Sequence, residues 1–270
     1  MLLKSIAGLS LVLSAAWVAL GQLSWWLLPL LFAGLYLVFA LIAFLFLWLV
    51  CRAVDLEKPQ EEDDPFYRAV MNLYVEVLVM LVGARIHTQG LEKLPKDGRF
   101  LLVCNHLFVA DPGVLLHCFP KSQLAFITKQ ENQSLFLVGK FMHKTLCQPL
   151  DRNNDRSALK TILKCIQLLK EDKVSIAVFP EGYTSKDGKL HPFRSGVFKI
   201  AQKTNVPIVI CTIQNTRQIF KNLKKLKKTD IHLHLVDVIS PEAYKGMSTV
   251  EISDCVYQRM IDDLGESFRA

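Results

Sequence analysis

The N-terminal fifth of the chain is almost entirely apolar. Between Lys4 and Arg52 no residue carries a charge, and all four tryptophans of the protein lie in this stretch. One membrane crossing takes about 20 apolar residues, so the stretch has room for two. The polar break "GQLS" at residues 21–24 divides it. The pattern therefore predicts a helical hairpin, with arms from about Ser5 to Leu20 and from about Trp25 to Val50.

The charges that flank this hairpin predict its orientation. Lys4 and Arg52 lie at the same end of it, and basic residues favour the cytoplasmic side of a membrane. The first arm is short for a full crossing, so a re-entrant hairpin stays open. A cleaved signal peptide is the alternative, since "SAAWVALG" offers small residues after an apolar run, but it leaves the second uncharged run unexplained. We expect residues 1–54 to anchor the protein integrally in the cytoplasmic membrane, with the rest of the chain on the cytoplasmic face.

An acidic stretch with two prolines, "DLEKPQEEDDP" at residues 55–65, is typical of a linker. It ends in Asp64 and Pro65, a common start of a helix. In the helix that follows, "FYRAVMNLYVEVLVMLVG", the polar side chains recur at every fourth position: Arg68, Asn72 and Glu76. Such a narrow polar stripe predicts a helix that lies either on a membrane surface or in the core of a domain.

Short apolar runs then alternate with helical patterns through the rest of the chain. The runs that predict strands are residues 100–106, 124–128, 147–151, 175–182, 207–213 and 231–239. Between two of them, "SALKTILKCIQLLK" predicts a helix whose apolar face holds Leu159, Ile162, Leu163, Ile166 and Leu169. Strands that alternate with helices predict an α/β fold with a largely parallel central sheet flanked by helices. We expect it to form one domain over residues 66–270.

Charge is unevenly distributed between these parts. Of the total of +7, residues 1–54 carry +2 and residues 55–65 carry −5, so the part from Phe66 onward carries +10. This excess predicts attraction to anionic lipids and phosphorylated substrates, with nucleic acid as a weaker alternative. The segment "RQIFKNLKKLKK" holds five of the lysines, which predicts either a solvated face or a contact with anionic lipid.

Cysteine and histidine spacing argues against a metal site. The seven cysteines are scattered and no pair has ligand spacing, so neither structural zinc nor a disulfide framework is expected, and a reducing compartment fits. His232 and His234 share one face of a predicted strand, but no third ligand lies near them in the sequence.

The candidate chemistry begins at "LLVCNHLFVAD", where a buried strand ends at His106 and Asp111 follows five residues later. A strand-end histidine and an aspartate that caps the next helix is the simpler interpretation, because Asp111 precedes Pro112. In α/β sheets, however, sites gather at the carboxyl ends of strands. There a carboxylate can fix the tautomer of the imidazole and stabilise its protonated form, which makes a general base. Since the chain has no G-x-S-x-G motif, the base would act on a substrate hydroxyl.

A second candidate follows another strand, at "FPEG". Glu181 is acidic, and Gly182 lets backbone N–H groups approach a ligand and steady a developing oxyanion. An ordinary turn is the alternative interpretation.

These motifs together resemble the 1-acyl-sn-glycerol-3-phosphate acyltransferase family over about residues 85–215. The resemblance lies in "NHLFVAD", "PLDR", "FPEG" and "VPIVI", in this order and spacing. It implies that His106 is the base and Asp111 its partner. It also implies that the acceptor is bound by Glu181 and Gly182, with its phosphate contacted by Arg152 and Lys129.

The chain departs from the family pattern directly after "FPEG". The family usually continues with Thr-Arg-Ser, whereas this chain has Tyr183, Thr184 and Ser185. The change removes one expected cation from the acceptor side. Arg194 or Lys199 would supply a replacement, unless both are surface residues.

The resemblance implies transfer of an acyl chain from a thioester to the sn-2 hydroxyl of lysophosphatidic acid, which forms phosphatidic acid. The expected donor is acyl-CoA or acyl carrier protein, with anionic membrane lipids as partners and with no resident cofactor, metal or nucleic acid. Three alternatives stay open: an acyltransferase for another lysolipid or glycerol-phosphate acceptor, a lipid hydrolase, and a non-catalytic protein that binds anionic lipid.

Overall fold

The computed structural model describes residues 1–21, 24–151 and 155–270. Two apolar helices come first, α1 (Leu2–Leu20) and α2 (Leu28–Arg52), and they pack against each other. Both are long and apolar enough to cross a membrane, and only 17% and 6% of their most apolar windows are buried. Helices this exposed are not core helices of a soluble domain, and they fit a membrane-associated protein.

A seven-stranded sheet forms the centre of the rest of the described chain. Its strands are β1 (Ala84–Gln89), β2 (Leu101–Cys104), β3 (Leu124–Lys129), β4 (Gln148–Leu150), β5 (Ser175–Val178), β6 (Ile208–Gln214) and β7 (Thr229–Ile239). The order is β1-β7-β6-β2-β5-β3-β4, and all neighbours are parallel except β6 and β7. This confirms the predicted α/β fold with a largely parallel sheet.

Helices cover both faces of this sheet: α3 (Pro65–Leu81), α4 (Asp111–Cys118), α5 (Phe136–Lys144), α6 (Asp155–Lys170), α7 (Lys199–Thr204), α8 (Ile219–Leu223) and α9 (Thr249–Leu264). Alternate residues of a strand point to opposite faces. In β2, Leu101 and Val103 pack with α6, α7 and α9, while Leu102 and Cys104 pack with α4 and α8. Because β2 is buried on both sides, the residues that follow it are held in a rigid frame.

Two of the three polar residues in the stripe of α3, Arg68 and Asn72, bind the α/β domain. The buried Arg68 donates to the carbonyl oxygen of Leu124 at 2.7 Å and pairs with Asp63 at 2.6 Å. Asn72 donates to the carbonyl oxygen of Pro120 at 3.2 Å.

Glu76, the third residue of the stripe, is exposed and pairs with the N-terminal amino group of Met1 at 3.0 Å. Leu78 and Leu81 are also exposed, so α3 is not a core helix, and its predicted setting on a membrane surface stays a prediction.

The acidic linker is bound to the domain by cations. Glu62 pairs with Lys173, and Asp64 lies 3.7 Å from Nζ of Lys144. Asp64 also caps α3, because its side chain accepts the N–H groups of Phe66 and Tyr67. These contacts, with the packing of α2 on α3 and α5, join the hairpin to the domain.

Candidate active site

The strand that carries the candidate histidine is fixed at its end by Asn105. The side-chain Nδ2 of this buried residue donates to the carbonyl oxygen of Ile213 at 3.0 Å, and its Oδ1 accepts the N–H of Ile213 at 2.7 Å. The amide thus continues the pairing of β2 with β6 for one more residue. His106 follows immediately and stands at the carboxyl edge of the sheet.

His106 and Asp111 meet as predicted. Nδ1 of His106 lies 2.8 Å from Oδ2 of Asp111, which is completely buried. The same oxygen accepts the N–H groups of Leu107 and Phe108, both at 2.7 Å. The alternative of a simple helix cap is not observed, since Asp111 binds residues that precede it and α4 has no side-chain cap. A carboxylate can only accept, so Nδ1 carries the hydrogen and Nε2 presents its lone pair outward.

Two further side chains complete the surroundings of the imidazole. Its face stacks on the ring of Phe179, with centroids 4.2 Å apart and an angle of 20°. Oγ1 of Thr184 lies 3.0 Å from Nε2. With Nδ1 bound to Asp111, the Thr184 hydroxyl is the donor of this bond. Nε2 of His106, the nitrogen that can take up a proton, is therefore hydrogen-bonded to a protein hydroxyl in this structure.

Glu181 connects the two sequence motifs through the backbone. It is 1% exposed, its Oε1 accepts the N–H of His106 at 2.8 Å and its Oε2 accepts the N–H of His191 at 3.0 Å. Burial raises the pKa of this carboxyl above its usual value, and the two backbone hydrogen bonds oppose the rise. Both oxygens accept backbone N–H groups of the protein, and the expected contact of Glu181 with the acceptor stays a prediction.

Gly182 is required by its conformation and by a close neighbour. Its φ is +79°, and a Cβ here would lie 2.8 Å from Nε of Arg194. Its N–H donates to the carbonyl oxygen of Phe179 at 3.0 Å. This N–H is therefore not free to steady an oxyanion. In the part of the chain that the structure describes, the N–H groups of Tyr183 and Thr184 donate to no other residue.

The expected phosphate contacts lie apart from the dyad or cannot be placed. Lys129 ends β3 at the same edge as His106 but two strands away, about 10 Å at the usual strand spacing, and its Nζ lies 3.3 Å from Oε1 of Glu131. Arg152 lies outside the described residues. The exposed Arg194 lies over Gly182 and makes no ion pair within the described ranges, whereas Lys199 begins α7.

Sequence reasoning missed three residues that build the site: Asn105, Phe179 and Thr184. Asn105 carries a usable signal, because an amide directly after a buried strand can pair with the backbone of a neighbouring strand. Phe179 looks like any aromatic residue at the end of a buried strand. Thr184 reaches His106 because the N–H of Ser185 donates to the carbonyl oxygen of His106 at 2.8 Å, a contact between distant segments.

The sequence that forms this arrangement is similar to known proteins. The family model described as Acyltransferase matches residues 85–214. A chloroplastic 1-acyl-sn-glycerol-3-phosphate acyltransferase, BAT2, of Brassica napus is 38% identical over 48% of this chain and 38% of its own length. The enzyme of the same name from Cocos nucifera is 27% identical over 73% of this chain and 64% of its own length. The chain thus spans less than two thirds of these relatives, but the resemblance seen in the motifs is confirmed.

A solved structure has the same fold. The crystal structure of the 1-acyl-sn-glycerophosphate (LPA) acyltransferase PlsC from Thermotoga maritima matches with a TM-score of 0.61 and 24% identity. The match covers 81% of this chain and 87% of that one. It extends beyond the region of the motifs, and it supports the fold described above independently of them.

Proposed function

Residues 85–214 of this chain belong to the acyltransferase family, and from this premise we propose that the protein is a glycerolipid O-acyltransferase. Its proposed reaction moves an acyl chain from a thioester to the sn-2 hydroxyl of 1-acyl-sn-glycerol-3-phosphate, which yields phosphatidic acid. The observation that carries the proposal is the position of His106. Its Nδ1 is bound to a buried carboxylate, and its Nε2 faces a hydroxyl at 3.0 Å.

In this mechanism the acceptor hydroxyl takes the place of the Thr184 hydroxyl at Nε2. His106 removes its proton while the oxygen attacks the carbonyl carbon of the thioester. The thiolate leaves with the proton that the imidazolium returns. Asp111 stabilises the imidazolium through the bond at Nδ1. A general base of this kind contributes a rate factor of about 10² to 10⁴.

The charge on the attacked carbonyl oxygen needs hydrogen-bond donors. We assign this role to the N–H groups of Tyr183 and Thr184, which have no partner among the described residues and belong to the same loop as the Thr184 hydroxyl. Donors fixed by the backbone stabilise a developing oxyanion without reorganisation. The Ser185 N–H, bound to the His106 carbonyl oxygen, holds this loop beside the base.

The acceptor phosphate needs cations on the same side of the sheet. We propose Arg194, with Lys129 and Arg152, as its contacts. Arg194 is a candidate because its guanidinium lies against Gly182 and forms no ion pair in the described ranges. A guanidinium can bind a phosphate with two parallel hydrogen bonds.

We also propose how the enzyme meets its substrates. The hairpin is integral to the cytoplasmic membrane, with the α/β domain on the cytoplasmic face, as the flanking Lys4 and Arg52 favour. The acceptor then arrives from the bilayer. The donor, acyl-CoA or acyl carrier protein, arrives from the cytoplasm.

One assay tests the proposal. Purified full-length protein receives a panel of labelled lysolipids and both thioester donors, and mass spectrometry identifies the product. We expect label in phosphatidic acid, with loss of turnover in His106→Ala and retention in His232→Ala, a matched exposed histidine on β7. Transfer only to a lysolipid without a phosphomonoester, or release of free fatty acid without acceptor, would overturn the assignment.

A further inference from the structure

One surface segment combines exposed apolar side chains with a dense positive charge. Residues 219–228, here called the lysine-rich lobe, are anchored by Ile219, which is buried in the core. Phe220 is 53% exposed and Leu226 is 95% exposed. Leu226 also has a φ of +53°, a conformation that is uncommon for a bulky residue. The lobe therefore presents large apolar side chains to its surroundings.

The charges of the lobe have one sign only. All of its basic residues are exposed and none makes an ion pair within the described chain: Lys221, Lys224, Lys225, Lys227 and Lys228. No acidic residue occurs between positions 219 and 228. Asp230, the next acid along the chain, is already paired with Arg85 and His87. Exposed phenylalanine and leucine side chains are unfavourable in a solvated loop. Apolar side chains next to lysines are instead typical of segments that bind the interface of an anionic bilayer.

The lobe contacts the loop that carries the catalytic pair. The ring of Phe220 packs edge-on against the ring of Phe108, with centroids 4.9 Å apart and an angle of 84°. The N–H of Phe108 donates to the same Asp111 oxygen that binds His106. Val109, the next residue of this loop, is also exposed. A contact that fixes the position of the lobe would therefore also act, through Phe220 and Phe108, on the loop that contains Asp111.

The lobe also adjoins the C-terminal end of α3. The N–H of Thr229 donates to the carbonyl oxygen of Gly83 at 2.9 Å, directly after the end of α3. Near that end, Leu78 and Leu81 are exposed on the outward side of α3. A different side of α3 packs on α2. Exposed apolar side chains thus occur both on the lobe and on the helix that joins it to the hairpin.

We propose that the lysine-rich lobe docks on the anionic bilayer in which the hairpin is anchored, as a second membrane contact that seats the catalytic loop at the lipid interface. The occupant is a bilayer rather than an acidic protein, because the lobe has exposed apolar side chains among its lysines and adjoins α3, which packs on the apolar hairpin. The proposal rests on the proposed function only for its consequence, delivery of a lipid acceptor to His106.

Photo-crosslinking of the full-length protein tests the contact without turnover. The protein is inserted into nanodiscs that contain a photoactivatable phosphatidylglycerol or, in a second set, a photoactivatable phosphatidylcholine. We expect lipid adducts on peptides within 219–228 in the anionic discs, and adducts reduced at least about tenfold in the neutral discs or at high salt. Hairpin peptides should be labelled equally in both sets.

Two matched variants sharpen the test. Changing the five lysines of the lobe to glutamine should remove its adducts. The same change at Lys160, Lys164, Lys170, Lys203 and Lys245, on the opposite face of the sheet, should leave them. A lobe that stays unlabelled beside a labelled hairpin, or equal loss in both variants, would overturn the contact.

Enzyme kinetics provide a separate test. If the proposed function is correct, the lobe variant should show a KM for lysophosphatidic acid raised about tenfold in anionic discs, with little change for a water-soluble acceptor. Absence of turnover in the wild type would refute the proposed function while the adducts still decide the docking.

Discussion

Oγ1 of Thr184 lies 3.0 Å from Nε2 of His106, while Asp111 holds Nδ1 of the same ring at 2.8 Å. The imidazole is thus hydrogen-bonded at both nitrogens before any substrate arrives. In the proposed mechanism, the Thr184 hydroxyl occupies the position that the acceptor hydroxyl takes. This relationship makes Thr184 a competitor for the base, and the competition can be measured.

Thr184→Val removes the competing hydroxyl and keeps the shape of the side chain. Since one hydrogen bond contributes about 1 kcal/mol, the KM for the acceptor should fall about fivefold while kcat stays the same. Thr184→Ser is the matched control and should behave like the wild type. Steady-state kinetics at varied acceptor concentration measure both constants. If kcat falls in Thr184→Val but not in Thr184→Ser, the Thr184 hydroxyl assists the proton transfer and does not compete with the acceptor.

Asp111→Asn should reduce kcat by about 10³ to 10⁴. The carboxylate oxygen accepts three N–H groups, from His106, Leu107 and Phe108, and the carbonyl oxygen of an asparagine can still accept them. An asparagine has no negative charge to stabilise the imidazolium, and because its NH2 can also donate to Nδ1 it does not fix the tautomer. His106→Ala should show a similar loss with a smaller effect on thermal unfolding, because only the aspartate also holds the loop backbone. Equal activity of Asp111→Asn and wild type would remove the dyad from the mechanism.

Glu181→Gln should lower activity through the position of His106 and also change the pH dependence of stability. An amide has one acceptor oxygen, so one of the two backbone N–H groups of His106 and His191 would lose its partner. Burial raises the folded-state pKa of Glu181 above its unfolded value, so the folded state binds the proton more tightly. This contribution to stability is full below the usual glutamate pKa and is lost as pH rises through the raised value.

Thermal unfolding at several pH values measures this effect. Between the usual pKa of a glutamate and the raised one, lowering the pH should stabilise the wild type relative to Glu181→Gln. Glu92→Gln, an exposed glutamate in the turn after β1, controls for general effects of charge. If the unfolding temperatures of wild type and Glu181→Gln change with pH in the same way, burial does not raise the pKa of Glu181.

Asn105→Leu should destabilise the fold by about 2 to 4 kcal/mol. The substitution leaves the N–H and the carbonyl oxygen of Ile213 without partners in a buried setting, and each unpaired group costs about 1 to 3 kcal/mol. Denaturant unfolding measures the change. A destabilisation below about 0.5 kcal/mol would mean that the amide does not hold β2 against β6.

Much of the fold follows from apolar periodicity, but the partners of each element do not. The apolar runs in the sequence predicted strands β2 to β7. Strand β1 was missed because its sequence "ARIHTQ" is polar and mostly exposed at the edge of the sheet. On α6, Ile166 and Leu169 are buried as predicted, but Leu159 and Leu163 are 51% and 55% exposed. A helical stripe can be recognised from sequence. How far along the helix the neighbouring elements cover it depends on the packing.

The same limit applies to the candidate site. The pair of His106 and Asp111 was predictable because a five-residue loop can close on itself. The oxyanion role expected near Gly182 does not fit its own N–H, which binds the carbonyl oxygen of Phe179. Thr184 reaches His106 only because the loop after β5 crosses to the end of β2, and a contact of that kind is set by the order of strands.

Arg194 provides the last prediction, because the chain lacks the arginine that the family usually has after "FPEG". Its guanidinium lies against Gly182, and no carboxylate among the described residues pairs with it. Arg194→Gln should therefore raise the KM for lysophosphatidic acid about tenfold to a hundredfold, with a smaller effect on kcat, because a phosphate contact acts on binding. Lys199→Gln, at the start of α7, is the matched control. An acceptor with the same acyl chain but no phosphomonoester separates the explanations: if its KM rises equally, Arg194 shapes the loop, and if only the phosphate acceptor is affected, Arg194 replaces the missing cation.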